Sequence, residues 1–323
     1  MKMDALSEAL RSIRITGALL FNAELTAPWG ASTPRVDAIS HLLAPGTEHL
    51  VLFHLILEGS AVARVSDGAE VLLAAGDLAV LPHGDAHDLW SGRHAVLRDA
   101  TELLPRILSG SIELERGGGG GDPTRFVCGY FGCDRDAARL LLAGLPPLLK
   151  VDVRGGRTGA WLEHAIRHTA AEVKSDQIGR RAVLSKLCEA LFVEALCGYL
   201  ATVPAEGTGW LAAVRDEATG HALALVHRDP GRAWTLVDLA AGSGVSRTVL
   251  TERFDRLLGE SPLAYLGRWR LQVAARMLRT TNRVVLDIAL EVGYASESAF
   301  NRAFKRRYGL PPGRYRQSQR SVG

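Results

Sequence analysis

The sequence predicts an α+β multidomain chain: an N-terminal β-barrel, a helical linker, and a C-terminal all-α domain with two helix-turn-helix motifs. Three observations predict it. One turn-centred pattern is written twice between Leu239 and Tyr315. Short apolar runs punctuated by turn residues fill the region from Ile15 to Leu97. The charge is divided unevenly: from Arg228 onward 17 basic residues stand against 8 acidic, a net of +9, which leaves −6 on residues 1–227 of a chain whose total is +3.

The first copy of the pattern reads Leu239-Ala240, Gly244-Val245-Ser246, Leu250 and Phe254. The second reads Ile288-Ala289, Gly293-Tyr294, Ser296, Phe300 and Phe304. A small Ala lets another helix approach closely, and a Gly supplies the positive φ that such a turn often needs. A Ser is then placed to cap the next helix. Apolar residues at helical spacing hold that helix to its core: Leu250, Phe254 and Leu257 in one copy, Phe300, Phe304 and Tyr308 in the other. The residues between them face outward and are the candidate DNA contacts: Arg247, Thr248, Thr251 and Glu252, then Glu297, Ser298, Asn301, Arg302, Lys305 and Arg306. Between the copies, Ser261-Pro262 opens a spacer helix with a cap and a proline at its first position. Leu263, Leu266, Leu271, Ala274, Ala275 and Leu278 form its apolar stripe. Two reading helices on one rigid rod suit successive major-groove faces, ~34 Å apart. The basic balance beside them is the electrostatic footprint of a module for double-stranded DNA.

These residues resemble the DNA-binding domain of the AraC/XylS family of bacterial transcription regulators. The resemblance is carried by Trp269-Arg270-Leu271 with Ala274-Ala275, Ile288-Ala289 before Val292-Gly293-Tyr294, Arg302-Ala303-Phe304-Lys305, Gly309-Leu310-Pro311-Pro312-Gly313 and Tyr315-Arg316. It implies sequence-specific DNA binding, mostly as an activator working with RNA polymerase, and it places Asn301 and Arg302 at base-facing positions. Glu252 stands where family members often carry a hydrogen-bond donor, so it suits cytosine N4 rather than guanine.

At 323 residues the chain has room for two domains and a connecting segment, and 47% hydrophobic content is ample for their cores. No stretch has the ~20 apolar residues of a transmembrane helix. The first residues, Met1-Lys2-Met3-Asp4, are not a secretory core, and four cysteines fit a reducing cytoplasm. Residues 5–13 read as a short helix with Leu6, Leu10 and Ile13 on one side. Strands are expected at 18–21, 38–43, 51–57, 61–65, 70–73 and 78–81.

The stretch Gly76 to His87 fits G-x5-P-x-G-x2-H, the second motif of the cupin fold, at each specified position. The first motif is degraded: His54 and Glu58 match, and Leu52 replaces a His. Residues 15–100 thus resemble a cupin barrel of the kind that precedes the DNA-binding domain in one branch of the family. Pro28-Trp29-Gly30 and Val127-Cys128-Gly129-Tyr130-Phe131 also resemble that branch. His54, Glu58, His83 and His87 form the candidate effector pocket. A small organic effector in the barrel mouth is the expected occupant. A divalent metal (Zn, Fe or Ni) is the alternative, which would make the chain a metal-dependent cupin enzyme. The leading reading has no cofactor and no catalysis.

Gly117 to Gly121 is expected to be a flexible surface loop. It lacks the Gly-Lys-Ser/Thr of a phosphate-binding loop. Cys128 and Cys133 motivate a second alternative, a redox-sensing regulator; Cys188 and Cys197 read as core. Residues 161–173 predict an amphipathic helix, with Trp161, Ala165, Ile166, Thr169 and Val173 on its apolar side, and residues 183–199 a longer, more apolar one. The resemblance implies that they pair two subunits into a homodimer; burial against the same chain's barrel is the other reading. Residues 201–209 read as a linker and Trp210 to Val226 as one helix. The expected organisation is a cupin-like effector domain over 1–145, a helical linker/dimerisation segment over 146–208, and an AraC-type domain over 209–323. Its two motifs lie at about 236–257 and 286–308. The whole is a cytoplasmic regulator with no membrane segment.

Overall fold

The computed structural model describes residues 4–13, 15–172, 179–202 and 207–320. The chain falls into two compact units, Met1–Arg14 with Val203–Gly323, and Ile15–Thr202. It opens with helix α1 (Ala5–Ser12), capped by Asp4, whose carboxylate accepts from the Leu6 N–H at 3.0 Å.

The unit 15–202 contains, in order, β1 (Ile15–Thr26), β2 (Trp29–Thr33), α2 (Ser40–Leu43), β3 (His49–Glu58), β4 (Ser60–Val65), β5 (Glu70–Ala74), β6 (Asp77–Leu81) and β7 (His87–Ser91). Then come β8 (Leu97–Asp99), α3 (Leu104–Ser109), β9 (Glu115–Gly118), β10 (Pro123–Cys133), α4 (Arg135–Leu141), β11 (Leu149–Asp152), α5 (Arg157–Glu172) and α6 (Arg180–Thr202). The expected barrel is resolved as two facing sheets with separate ladders, β11-β6-β3-β10-β1-β9 and β5-β4-β7-β2-β8. β3 reads as an unbroken apolar run because it is buried on both faces. Leu52 and Ile56 enter the core with Leu81, Leu89 and Phe126. Phe53, on the opposite face, stacks on Phe131 at 4.4 Å, and Phe131 meets Phe192 of α6 at 5.0 Å.

α6 packs on β1 closely enough that a Cβ on Gly17 would stand 2.6 Å from the Cys188 Cβ. The apolar face of α6, with Leu184, Cys188, Leu191, Phe192 and Leu196, is therefore buried within its own unit. Arg154 clasps α5 to the same sheet. It donates to both oxygens of the buried Glu163 at 3.0 and 3.1 Å and to the Leu57 carbonyl at 3.1 Å.

Several expectations are corrected here. Residues 38–43 are a helical turn and α2, not a strand. Cys197 is exposed on α6 rather than in the core. Val173 and residues 203–206 of the linker lie outside the described residues. The glycine run is not a free loop. Its start is strand β9, parallel to β1, and Gly119 and Gly121 donate to the carbonyls of Thr26 and Ala27 at 2.7 and 2.8 Å. Gly118 has φ +110, and a Cβ there would stand 2.0 Å from the Thr26 carbonyl oxygen. The glycines are an edge strand pressed against a neighbouring backbone, which composition alone reads as looseness.

The C-terminal unit is all helical: α7 (Trp210–Arg215), α8 (Glu217–Arg228), α9 (Leu236–Gly242), α10 (Arg247–Leu258), α11 (Pro262–Thr280), α12 (Val285–Glu291), α13 (Glu297–Tyr308) and α14 (Pro312–Arg320). The single helix expected over 210–226 is two. Asp216 breaks it with extended backbone, caps α8 by accepting from Thr219 N–H at 2.9 Å, and pairs with Arg253 at 3.0 Å. α1 packs on α8 with Ala5, Leu6 and Ala9 buried, so the first helix of the chain belongs to this unit and not to the sheets. α11 serves two cores. Tyr265 and Trp269 join Trp210 and Phe254 in the first. Leu271, Ala274, Ala275 and Leu278 join Ile288, Phe300, Phe304 and Tyr315 in the second. Leu263, expected in the stripe, is exposed.

Gly118→Ala is expected to destabilise the chain by about 2 kcal/mol or more, through the left-handed backbone and the clash together. Gly117→Ala, whose Cβ would meet nothing closer than Leu25 at 3.6 Å, should stay within about 0.5 kcal/mol. Urea unfolding midpoints of the two variants measure the difference.

Candidate DNA-reading surface and ligand cavity

The two motifs form as the sequence predicts. α9 starts at a capping box in which Thr235 accepts from Asp238 N–H and the Asp238 carboxylate accepts from Thr235 N–H. Gly244 and Gly293 turn the chain with φ +68 and +86. Ser246 and Ser296 cap α10 and α13, accepting from Val249 and Ala299 N–H, each at 3.3 Å. Arg270 of α11 fixes the second turn. It donates to the carbonyls of Pro230 and Arg232 at 2.7 and 2.8 Å and stands where a Gly293 Cβ would be.

With Leu250, Phe254, Phe300 and Phe304 buried, the outward faces are set. Arg247, Thr248 and Glu252 are exposed on α10; Thr251 is half-buried and its hydroxyl donates back to the Arg247 carbonyl at 2.9 Å. On α13, Glu297, Ser298, Arg302, Lys305 and Arg306 are exposed and Asn301 is half-buried. The second face is the more basic.

Behind α10, His227 is buried between aromatic rings, a residue the sequence reading passed over. Its ring stacks on Trp269 at 3.9 Å, and its Nε2 lies 2.7 Å from the Tyr265 hydroxyl, which also accepts from Trp210 Nε1 at 2.9 Å. Burial holds the imidazole neutral, with its pKa down at about 3.

The unit 15–202 holds a partly open cavity of about 130 Å³ between its two sheets. Its walls are almost wholly apolar: Leu20, Phe21 and Leu25 of β1, Trp29 of β2, Leu52 of β3, Leu89 of β7 and Phe126 of β10, under Leu43 of α2 and Leu104 and Ile107 of α3. Trp29 and Phe126 stack at 4.9 Å. An engineered apolar cavity of about 150 Å³ holds benzene, so this one has the size of a six-membered ring.

The four predicted pocket residues do not converge. His54 lines the cavity, and its Nε2 lies 2.7 Å from Nε2 of the buried His87. Glu58 is exposed and pairs with Arg167 at 3.4 Å. His83 turns away to the Leu145 carbonyl at 3.1 Å. The position is taken instead by Cys128, whose Sγ lies 2.6 Å from His54 Nδ1. β3 and β10 pair so that His54 and Cys128 are Cα neighbours in the ladder, a register that one sequence does not reveal.

The tautomers follow from one end. His87 Nδ1 lies 3.0 Å from the Asp85 carbonyl, which only accepts, so Nδ1 donates. Neutral His87 then accepts at Nε2 from His54 Nε2–H, and His54 Nδ1 accepts from the Cys128 thiol. Burial holds the pKa of His54 well below its ordinary value, with repulsion from His87 adding to it; burial lowers that of His87 too. Nδ1 and Nε2 point to opposite sides of the His54 ring, so Cys128 and His87 cannot share an ion through it. No three ligating groups converge elsewhere among the described residues.

Compared with known proteins, residues 4–201 match the Cupin family and residues 239–318 match the helix-turn-helix domain family. An AraC-like transcription regulator of Streptomyces lividans is 37% identical over 245 residues, covering 73% of this chain and 79% of that protein. The chain belongs to the AraC-type regulators with an N-terminal cupin domain. A second AraC-like relative, from Streptomyces antibioticus, is 33% identical over 82% of this chain and 86% of its own length. The HTH-type transcriptional regulator AlkR of Acinetobacter baylyi is 29% identical over 98% of this chain and 99% of its own length. This AraC-type chain is thus a DNA-binding transcription regulator, and among its described residues no helix is long and apolar enough to cross a membrane.

Three depressed histidines give the protein a pH dependence of one sign. The folded state resists protonation, so their contribution is complete above the ordinary His value of 6.5 and is lost as pH falls below it. His227 alone, at about 3, should cost about 2 kcal/mol of stability at pH 5. Thermal midpoints of wild type and His227→Gln between pH 7 and pH 5 test this; the variant should show the flatter profile.

Proposed function

We propose that this regulator is a one-component sensor. The cavity between the sheets takes a small, uncharged, mainly apolar effector, and α10 and α13 read adjacent major-groove faces. The observation that carries the effector class is the closed hydrogen-bond chain. Cys128, His54 and His87 satisfy one another, so a charged ligand would enter an apolar space with no counter-charge on its wall. The same closure favours a sensor over an enzyme, and an organic effector over a metal.

On DNA, Arg302 and Arg247 suit guanine O6/N7, Asn301 suits adenine, and Lys305 and Arg306 suit phosphate. Thr248, Thr251 and Ser298 suit backbone or base edges, and Glu252 suits cytosine N4. Glu297 stands at the start of α13, where an acid complements the helix dipole. The protein acts in the cytoplasm, and the family resemblance supports an activator working with RNA polymerase. It also supports a homodimer. The apolar face of α6 is already buried, so the dimer surface would be the outer faces of α5 and α6, where Trp161 is 61% and Val183 46% exposed.

A gel shift on the DNA upstream of the protein's own gene, with random competitor at physiological salt, is expected to give a specific complex. Arg302→Ala should weaken that complex by about 1–3 kcal/mol and random-DNA binding much less; equal losses would make Arg302 a phosphate contact. Toluene at saturation is expected to raise the thermal midpoint of wild type, and Leu52→Trp, which fills the cavity, should abolish the rise.

A further inference from the structure

The sensing reading leaves the thiol on the cavity wall unexplained. Cys128 is half-buried on β10, and the space it faces is the cavity. Its hydrogen-bond partner is the Nδ1 lone pair of an imidazole fixed in that tautomer from behind by His87 and Asp85. At rest this is not a thiolate, because burial pushes the thiol well above its ordinary range. It is a thiol with a neutral base already on its proton, beside a cavity whose walls are almost wholly apolar. The hydroxyl-bearing Thr33 and Thr101 lie on the same wall.

We infer that Cys128, with His54 as its base, is a covalent capture site for small apolar electrophiles of the α,β-unsaturated carbonyl class. This rests on the reading of the cavity as the ligand site. As Cys128 Sγ bonds to the β-carbon of the bound enone, its proton passes to His54 Nδ1. The carbon–carbon π bond breaks and its pair moves to the enolate. The cationic His54 keeps its Nε2–H on His87, then returns the proton to the α-carbon. The product is a thioether and a saturated ketone; no oxidant or reductant enters, and both histidines end neutral. Adduct formation removes the thiol donor from the chain that links β10, β3 and β7. Occupancy is thereby converted into a change between the two sheets.

The internal comparison is Cys197, an exposed thiol on α6. Full-length protein is treated with cyclohexenone, and adducts are located by peptide mass spectrometry over time; cyclohexanone, the saturated analogue, is followed by thermal midpoint. Cys128 is expected to be labelled ahead of Cys197, and labelling of Cys128 to slow about a hundredfold in His54→Gln with Cys197 unchanged. Should His54→Gln not fold, His87→Gln, which removes the acceptor that fixes the tautomer, is read in the same way. A midpoint raised by cyclohexanone with Cys197 labelled first would overturn the capture and leave the cavity reading standing. No midpoint change with either compound and no Cys128 adduct would overturn both.

Discussion

The sensor unit is organised by one requirement: polar groups facing an apolar interior must satisfy each other. Cys128 on β10, His54 on β3 and His87 on β7 do so in a line that ends on the Asp85 carbonyl. β3 and β10 lie in one sheet and β7 in the other, so this line is a polar tie across an otherwise apolar core. The tie fixes each tautomer and leaves the cavity beside it apolar, while burial holds both imidazoles neutral. His54 and Cys128 of the tie line the cavity, so the tie and the cavity share the same atoms.

The DNA-reading unit meets a different demand, rigidity at a surface. Each reading helix is held by a Ser cap at its start, a buried apolar face, and a glycine turn before it. α11 joins the two halves by giving one part of its surface to each core. Arg270 hydrogen-bonds α11 to the loop after α8 and packs against Gly293 of the second turn. α1 completes the first half by burying Ala5, Leu6 and Ala9 on α8. Helix α1 thus belongs to this unit, whereas β1, whose Leu20, Phe21 and Leu25 line the cavity, belongs to the other.

Local signals account for what was legible. The doubled motif could be read because cap, glycine turn and helical apolar spacing all lie within a few residues of one another, and the structure places each where expected. The Gly76 to His87 turn was legible for the same reason. Misreadings came where meaning depends on a distant partner. The glycine run looks loose until Thr26 and Ala27 press against it. The run at 38–43 is apolar enough for a strand, yet no partner pairs with it. The helix at 210–226 breaks because Asp216 finds Thr219 and Arg253. Glu58 and His83 sit at motif positions, but their side chains are taken by Arg167 and the Leu145 carbonyl.

By itself, then, the sequence determined the class of the protein, its two kinds of domain and the outward faces of its reading helices, because these follow from periodicity, capping and charge along short stretches. Only the tertiary structure decided which residues meet in the cavity and to which unit the first helix belongs. The pairing of Cys128 with His54 is set by a ladder between strands 74 residues apart. The docking of α1 joins residues separated by the whole sensor domain. Contacts of that range leave no local periodicity for a sequence to show.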